Sequence, residues 1–498
     1  MKLQKLIFTG ALAAVVAMPA GMKAEDAKFM RSSIYTILVN SDEQNTRLDD
    51  EAKEVDAEGY AATLKEAGIQ SLGGIPKSVF PSLAIPEQFN DHNLDIRVLD
   101  FDKVAATVSE DEAKAARPKE KAGGFGKFAK SAGGAALAGA SGKEESSMLR
   151  VEKVDDYMHA VVAKFLNDNK VADYMVAKWY NYNPEGTPKF NAAVIQERGL
   201  ENASAADVAQ ANVNADFKAM LSSQGFELMN NTFVVATNLR FRNNKAVAKE
   251  ISDMAGGVAA VAGQKAGALG GLAAMGAQKG VEAAVNALMK DMYSVTAVTN
   301  LYKLDWNDDI DLALSEKVLY NDNATLQDLL DSGLCKLTYV GQTKARSGVK
   351  KDKTKSLNEL TASATSRAID KALAKLQVEN EIFRTTVPVS KCADGFVYAK
   401  IGSKEGVTPG DEYEILEQQL DPKTNKVVYK KVGSAKVEKD AVWFNTTGAE
   451  ELIANAEEKE AAAMKEAQEL GYTKFKANKK NDFSGYYLRL AKKKGKIE

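Results

Sequence analysis

Asn231–Phe241 (NTFVVATNLRF) and Tyr293–Trp306 (YSVTAVTNLYKLDW) are the two stretches on which the fold turns. Both are dense in β-branched and aromatic residues, so both predict strands. The second is the longest strand signal in the chain. A turn at Asn307-Asp308-Asp309 follows it, and the alternation of IDLALSEKVLY (310–320) predicts a hairpin partner. Between the two stretches lies 254–290, a Gly/Ala-rich tract. Gly263, Gly267 and Gly271 stand at i, i+4 and i+8, and Gly276 and Gly280 repeat the spacing. On a helix these glycines share one face and let another backbone come close. Each glycine costs a helix about 1 kcal/mol against alanine, so such a helix needs a partner. Two readings stand: a flexible or internally packed helical insertion, or a membrane-surface or oligomer contact.

Upstream, 151–181 predicts an amphipathic helix. Val154, Tyr157, Met158, Val161, Val162, Phe165 and Leu166 follow the 3–4 spacing. ADYMVAKWYNY (172–182) extends the helical pattern to a turn at Asn183-Pro184-Glu185-Gly186. Lys189–Gln196 predicts a strand. Residues 203–226 predict a helix with Ser204 as N-cap and Asp207 three residues on. Residues 33–40 (SIYTILVN) and 94–101 (LDIRVLDF) read as strands, with Pro76, Pro81 and Pro86 between them. The charged and then Gly/Ala/Lys-rich stretch 109–150 offers little apolar area and reads as a linker.

Downstream, a helix is expected over 357–376 and a strand near 380–389. From about 385 the pattern becomes short strands and turns: GFVYAKIG, DEYEILEQQ, KVVYKKVG, SAKVEK, AVWFN and a last GYYLRL (485–490). An Ala/Glu/Lys-rich helical insertion at 448–470 interrupts them. The chain therefore reads as α+β. The expected order is a segment 1–24 of signal type, an N-terminal α/β or irregular segment 25–108, the linker 109–150 and a central α/β domain 151–384 with its helical insertion. A small C-terminal β-barrel of the SH3 or OB sort at 385–490 and a basic tail 491–498 complete it.

Composition narrows the function. The 498 residues carry 66 Lys+Arg against 68 Asp+Glu, a formal charge of −2 that gives no field for nucleic acid. Two histidines and two cysteines exclude a His-built zinc site, an iron–sulfur protein and a disulfide scaffold. Lys2 and Lys5, the apolar run Leu6–Val16 and the small residues Ala20 and Ala24 have the layout of a secretory signal peptide. That run is too short for a bilayer, which needs about 20 apolar residues. In an oxidising compartment Cys335 and Cys392, each in or beside a strand signal, could form a disulfide; the alternative is two small, partly buried thiols.

No catalytic set assembles in the sequence. Asp305, Asn307, Asp309 and Glu316 match calcium-loop positions 1, 3, 5 and 12, but Ile310 stands where the turn needs glycine. Ser347-x-x-Lys350 lacks the two companion motifs of penicillin-interacting enzymes. Gly124-Phe-Gly126 lacks the strand and third glycine of a dinucleotide loop. His92 and His159 have no sequence neighbour that would make a nucleophile–base pair. The basic run 344–355 (KARSGVKKDKTK) reads as a solvated loop, with an anionic glycan, lipid head group or nucleic acid as its sharper use.

The marks Val176-Ala177-Lys178-Trp179, Glu197-Arg198-Gly199, Asn202-Ala203-Ser204 and Asn231-Thr232-Phe233-Val234-Val235 are joined by Ala399-Lys400-Ile401-Gly402, Lys404-Glu405-Gly406-Val407 and Gly410-Asp411. Together they resemble a family of uncharacterised secreted proteins of gut-type anaerobic Gram-negative bacteria, over roughly residues 150–490. More remotely, the order helix, strand ending in Glu-Arg, helix, strand is similar to the periplasmic α/β domain of curli-secretion-channel-type proteins. That domain type occurs also in outer-membrane activators of cell-wall synthases and in a flagellar assembly factor with a small C-terminal β-barrel. The resemblance implies a role in envelope assembly and transfers no site.

The expectation is an exported, non-catalytic envelope protein, periplasmic or at the outer membrane or cell surface, with no cofactor, no metal and no nucleic-acid partner. It acts through protein or glycan contacts. The alternatives are an oligomeric channel or assembly subunit in peripheral contact with a membrane, resting on the glycine spacing, and a hydrolase of envelope polymers.

Overall fold

The computed structural model describes residues 32–67, 70–109, 111–112, 147–182, 190–201, 225, 227–248, 293–319, 321, 324–349, 355–421, 423 and 427–497. The 254–290 tract with Gly263, Gly267, Gly271, Gly276 and Gly280, residues 113–146 of the linker, the signal-type segment and the 203–226 helix, apart from Gly225, lie outside them; the end of the expected linker, 147–150, is instead the start of the helix Ser147–Asp168.

Two sheets organise the chain. The first is mixed, with strand order β2-β1-β4-β5-β6 and β3 also on β1. Its strands are β1 (Ser32–Asn40), β2 (Phe89–Asp91), β3 (Val98–Asp100), β4 (Thr232–Asn243), β5 (Tyr293–Leu304) and β6 (Leu337–Val349). β1 runs parallel to β2, β3 and β4, whereas β4, β5 and β6 are antiparallel. The stretch 25–108, expected to stand apart, thus supplies three strands to the central sheet, and β1 lies inside it. Parallel pairing between residues some 200 positions apart leaves no local mark in a sequence.

Both faces of the sheet are covered, which is why β1, β4 and β5 are buried almost throughout. On one face Leu38, Leu239, Val295, Ala297 and Ala345 pack under α1 (Asp42–Ala67, broken by extended backbone at Asp56) and a long helix at Leu357–Glu379. That long helix turns Ala364, Ala368 and Ala372 to the sheet at four-residue spacing, so its backbone comes close. Ser356 and Glu359 form its capping box. On the other face Tyr35, Ile37, Val39, Val234, Ala236 and Tyr302 pack under α2 (Ser147–Asp168) and α3 (Val171–Trp179). Arg240, only 2% exposed, reaches α2 through an ion pair with Asp155 and donates to Asn238 Oδ1 at 2.7 Å.

Two expectations are corrected here. Residues 192–196, expected to close a strand over 189–196, belong instead to α4 (Ala192–Glu201), which also carries Glu197 and Arg198, the pair taken to end a strand in the remoter likeness. Ile195, completely buried, packs with Trp179 and Phe190, and a helix brings it there. The hairpin partner expected at 310–320 is α5 (Asp308–Leu314) running into a π-turn at 315–319. Asn307 Oδ1 caps α5 by accepting from Ile310 N, and Asp308, Asp309 and Asp311 suit its positive end. On the side away from β4 the antiparallel partner of β5 is β6, which takes in the first half of the basic run 344–355. The long helix that caps at Ser356 is α6.

The second sheet is C-terminal, with order β7-β13-β10-β11-β12-β9-β8. It comprises β7 (Val387–Pro388), β8 (Lys391–Ala393), β9 (Phe396–Ala399), β10 (Glu412–Leu420), β11 (Val427–Val437), β12 (Thr473–Ala477) and β13 (Tyr487–Lys492). Its two edge strands are halves of one segment. Val389 N donates to Tyr486 O at 2.9 Å beside β13, and Ser390 N to Tyr398 O at 2.7 Å on β9. The sheet is therefore curled into a half-barrel around Val389, Val397, Ile415, Phe475, Phe483 and Leu488. A bulge at Ile415/Leu416 sharpens the bend. The stretches 426–433 and 434–439 are largely one strand, 441–445 contributes only a bridge from Trp443 to Gly402, and β12 was not foreseen. The helical insertion holds α7 (Ala449–Ala454) and α8 (Glu458–Glu469).

The half-barrel is seated on the outer side of α6. Gly406 (φ +74°) turns there, where a Cβ would stand 2.9 Å from that of Ala374. Arg384 NH1 donates to Leu490 O at 3.1 Å, and Thr447 Oγ1 to Asp370 at 2.9 Å.

Candidate functional site

Strands β9 and β12 send Val397, Ala399, Thr473 and Phe475 inward. Strand alternation then turns Lys391, Phe396, Tyr398, Lys400, Lys474 and Lys476 outward. Tyr472, just before β12, joins them. Register places Tyr398 between Lys391 on β8 and Lys474 on β12, and Phe396 beside Lys476. On the next strand Lys436 stands opposite Lys476.

The rings and ammonium groups of this face are in contact. Lys474 Nζ lies 3.9 Å from the Phe396 ring centroid. Lys391 Nζ lies 4.6 Å from Tyr398 and 5.3 Å from Tyr472, and Lys400 Nζ 5.6 Å from Tyr472. Each such contact is worth about 0.5–1 kcal/mol at an exposed site. No carboxylate occurs in Lys391–Ala393, Phe396–Lys400 or Tyr472–Ala477. Farther round the sheet the acids are engaged: Glu414 by Lys431 and Arg489, each at 3.1 Å, and Glu412 by Lys494 at 3.0 Å. The face is thus a lysine-rich surface on aromatic supports, with Glu438, whose N donates to Lys474 O at 3.1 Å, as an acid at its border. It can attract and align an anionic chain.

A cleft of about 730 Å³ opens between α6 and the half-barrel. Phe444, Leu452, Met464 and Ile497 give it apolar walls, and Lys371 and Lys404 are balanced by Glu457 and Glu460. At its floor burial raises the Asp370 carboxyl above the usual range, against the pull of Lys404 and of the Thr447 hydroxyl. The near-balance of charge gives the cleft no field of one sign.

The residues singled out in the sequence are dispersed. Cys335 is buried with Trp306 and Leu329 beside the first sheet, and Cys392 packs against the half-barrel core. Both are free thiols, and the structure does not bring them together. Burial and the neighbouring Asp173 push the Cys335 thiol up. Burial pushes the Asp173 carboxyl up to about 6, and its Oδ1 meets no hydrogen-bond donor among the described residues. Ser347 lies in β6 and accepts from Arg367 Nε at 3.1 Å; Lys350 lies outside the described residues. Asp305 accepts from Thr338 at 2.7 Å and Asn307 caps a helix, so the calcium-like run is spent on structure. His92 stacks on Trp179 with centroids 4.9 Å apart and contacts Met175 O through Nε2 at 2.9 Å. Burial pushes His92 down to about 4. His159 is buried against Tyr339. Gly124 and Gly126 lie outside the described residues.

Three of the seven motifs that carried the resemblance meet at one place. Trp179 has His92 on its ring and Arg198 4.8 Å from its centroid. Its Nε1 donates to Thr232 Oγ1 at 3.1 Å, and Arg198 donates to Lys178 O at 3.2 Å. Three sequence marks thus meet around one buried indole as packing. Tyr472, Lys474 and Lys476 of the basic-aromatic face follow the helical insertion in sequence, and the alternation in Tyr472–Ala477 (YTKFKA) is the signal that marks them as a strand.

No helix among the described residues is long and apolar enough to cross a membrane. No family model and no curated protein matches the chain.

Proposed function

We propose that this is an exported, non-catalytic cell-envelope protein that works by contact, holding envelope glycan against the outer face of its C-terminal sheet. The observation that carries the reading is the face itself: three rings and five lysines on or beside four neighbouring strands, with no carboxylate within β8, β9, β11 or β12 and Glu438 just past β11 beside Lys474. Sugars are commonly met by aromatic and long polar side chains on a rigid sheet. The signal-type segment 1–24 supports the address. We read the half-barrel as a small-barrel module of the SH3 or OB sort. The segment 387–393, hydrogen-bonded to both sheet edges, supports that reading, and in such modules the outer strand face is a common place for oligosaccharides.

Co-sedimentation with insoluble envelope polysaccharide tests the proposal. The wild-type protein is expected in the pellet. A Lys391→Ala/Tyr398→Ala/Tyr472→Ala variant with an unchanged near-ultraviolet circular dichroism spectrum is expected in the supernatant. Absence of the wild type from the pellet with every envelope glycan would overturn the reading.

A further inference from the structure

Resting on the glycan-contact reading, we propose that the aromatic rings of this face are props for lysines, not stacking platforms, and that the glycan it takes is polyanionic.

A ring that stacks on a neutral sugar or a nucleobase needs a bare face. Here the faces are taken. Lys474 lies over Phe396, Lys391 is shared by Tyr398 and Tyr472, and Lys400 also lies over Tyr472. What the rings supply is fixed position for ammonium groups that would otherwise sample many rotamers. Lys391 and Lys474 flank Tyr398 on successive strands, so they are spaced by two strand widths, about 10 Å. Lys474 and Lys476 follow each other along one strand, about 7 Å apart.

A second observation points the same way. Lys436 and Lys476 stand directly opposite each other on adjacent strands, and both are exposed. Like charges in that relation weaken a sheet. Glu412, opposite Lys436 on its other side, is paired with Lys494 at 3.0 Å and also feels Lys436 and Lys492. Lys391, Lys400, Lys474 and Lys476 make no ion pair within 4 Å among the described residues, although Glu438 stands beside Lys474, its N donating to Lys474 O at 3.1 Å. A chain bearing carboxylates or sulfates at regular intervals would relieve this repulsion and meet lysines already in place. A neutral glycan would have to displace them, and so would the bases of a single-stranded nucleic acid.

The test is calorimetric titration of the full chain with a polyuronate, a neutral glucan of equal length and a single-stranded oligonucleotide, at low and at high salt. Polyuronate is expected to bind at least about tenfold more tightly than glucan, and to weaken with salt. Lys391→Gln/Lys474→Gln/Lys476→Gln is expected to lower that affinity by about tenfold or more, with melting unchanged. Lys431→Gln, on the far side of the sheet, is expected to leave it unaltered. Equal binding of glucan would overturn the polyanion inference and leave the glycan reading standing. Binding of neither polymer would overturn both. Tighter binding of the oligonucleotide, or a loss with Lys431→Gln as large as with the triple variant, would overturn the assignment of this face to an acidic glycan.

Discussion

Arg367 on α6 and Glu451 on α7 form a two-pronged ion pair, NH1 to Oε2 and NH2 to Oε1 at 3.3 Å each, with both side chains at most 2% exposed. The other donors are spent on Ser347 Oγ, Gly348 O and Thr447 O, so the guanidinium is fully satisfied. This pair bolts the half-barrel to the central sheet. Glu451→Ala leaves a buried cation and is expected to cost about 3–5 kcal/mol in denaturant unfolding of the full chain. Arg367→Met together with Glu451→Leu is expected to cost much less, because no charge is stranded. A loss under about 1 kcal/mol for the single variant would contradict this account.

Around Trp179 the expected losses are graded. Arg198→Leu removes a half-buried cation from the ring and should cost about 0.5–2 kcal/mol. Trp179→Phe also leaves the Thr232 hydroxyl without its indole donor and a void beside Ile195, and should cost about 2–4 kcal/mol. Urea unfolding of the two variants gives the order; a larger loss for Arg198→Leu would contradict it.

His92 and Asp173 make opposite contributions with pH. His92 is held neutral, its value lowered from 6.5 to about 4, so its contribution is present above pH 6.5 and is lost as pH falls toward 4. Asp173 is raised from 3.8 to about 6, so its contribution is present below pH 3.8 and is lost as pH rises through 6. Asp173→Asn is therefore expected to be more stable than wild type at pH 7, by about 1–3 kcal/mol, and no more stable at pH 4. The His92 ring signals in NMR are expected to stay those of neutral imidazole down to about pH 5.

The thiols should differ in reactivity. Cys335 is buried and held protonated, whereas Cys392 is half-buried. Iodoacetamide on the native protein is expected to label Cys392 first and Cys335 only on unfolding. Refusal of both thiols in denaturant without reductant would show them joined.

Much of the fold was legible from local pattern. β1, β4 and β5 follow from β-branched runs, and α6 from the Ser356/Glu359 box and its alanine spacing. What was illegible is non-local. The place of β1 beside β4, and the meeting of Arg367 with Glu451, depend on pairings that no window of sequence contains. One error was avoidable. The alternation of 310–320 suggested a strand, but Asn307 followed by Asp308 and Asp309 is a helix start, and capping prevailed over periodicity. At the candidate site, Phe396–Lys400 was read as a strand, while its partner Thr473–Ala477 was lost behind the insertion, so rings and lysines that lie together in space stayed apart in the reading.

Lysine acetylation footprinting of the intact protein, with and without acidic envelope polysaccharide, tests the central claim most directly. Lys391, Lys400, Lys474 and Lys476 are expected to be protected together, while Lys371 and Lys404 at the cleft and Lys431 on the far side keep their reactivity. Protection confined to the cleft lysines, or none at all under saturating polysaccharide, would contradict the account.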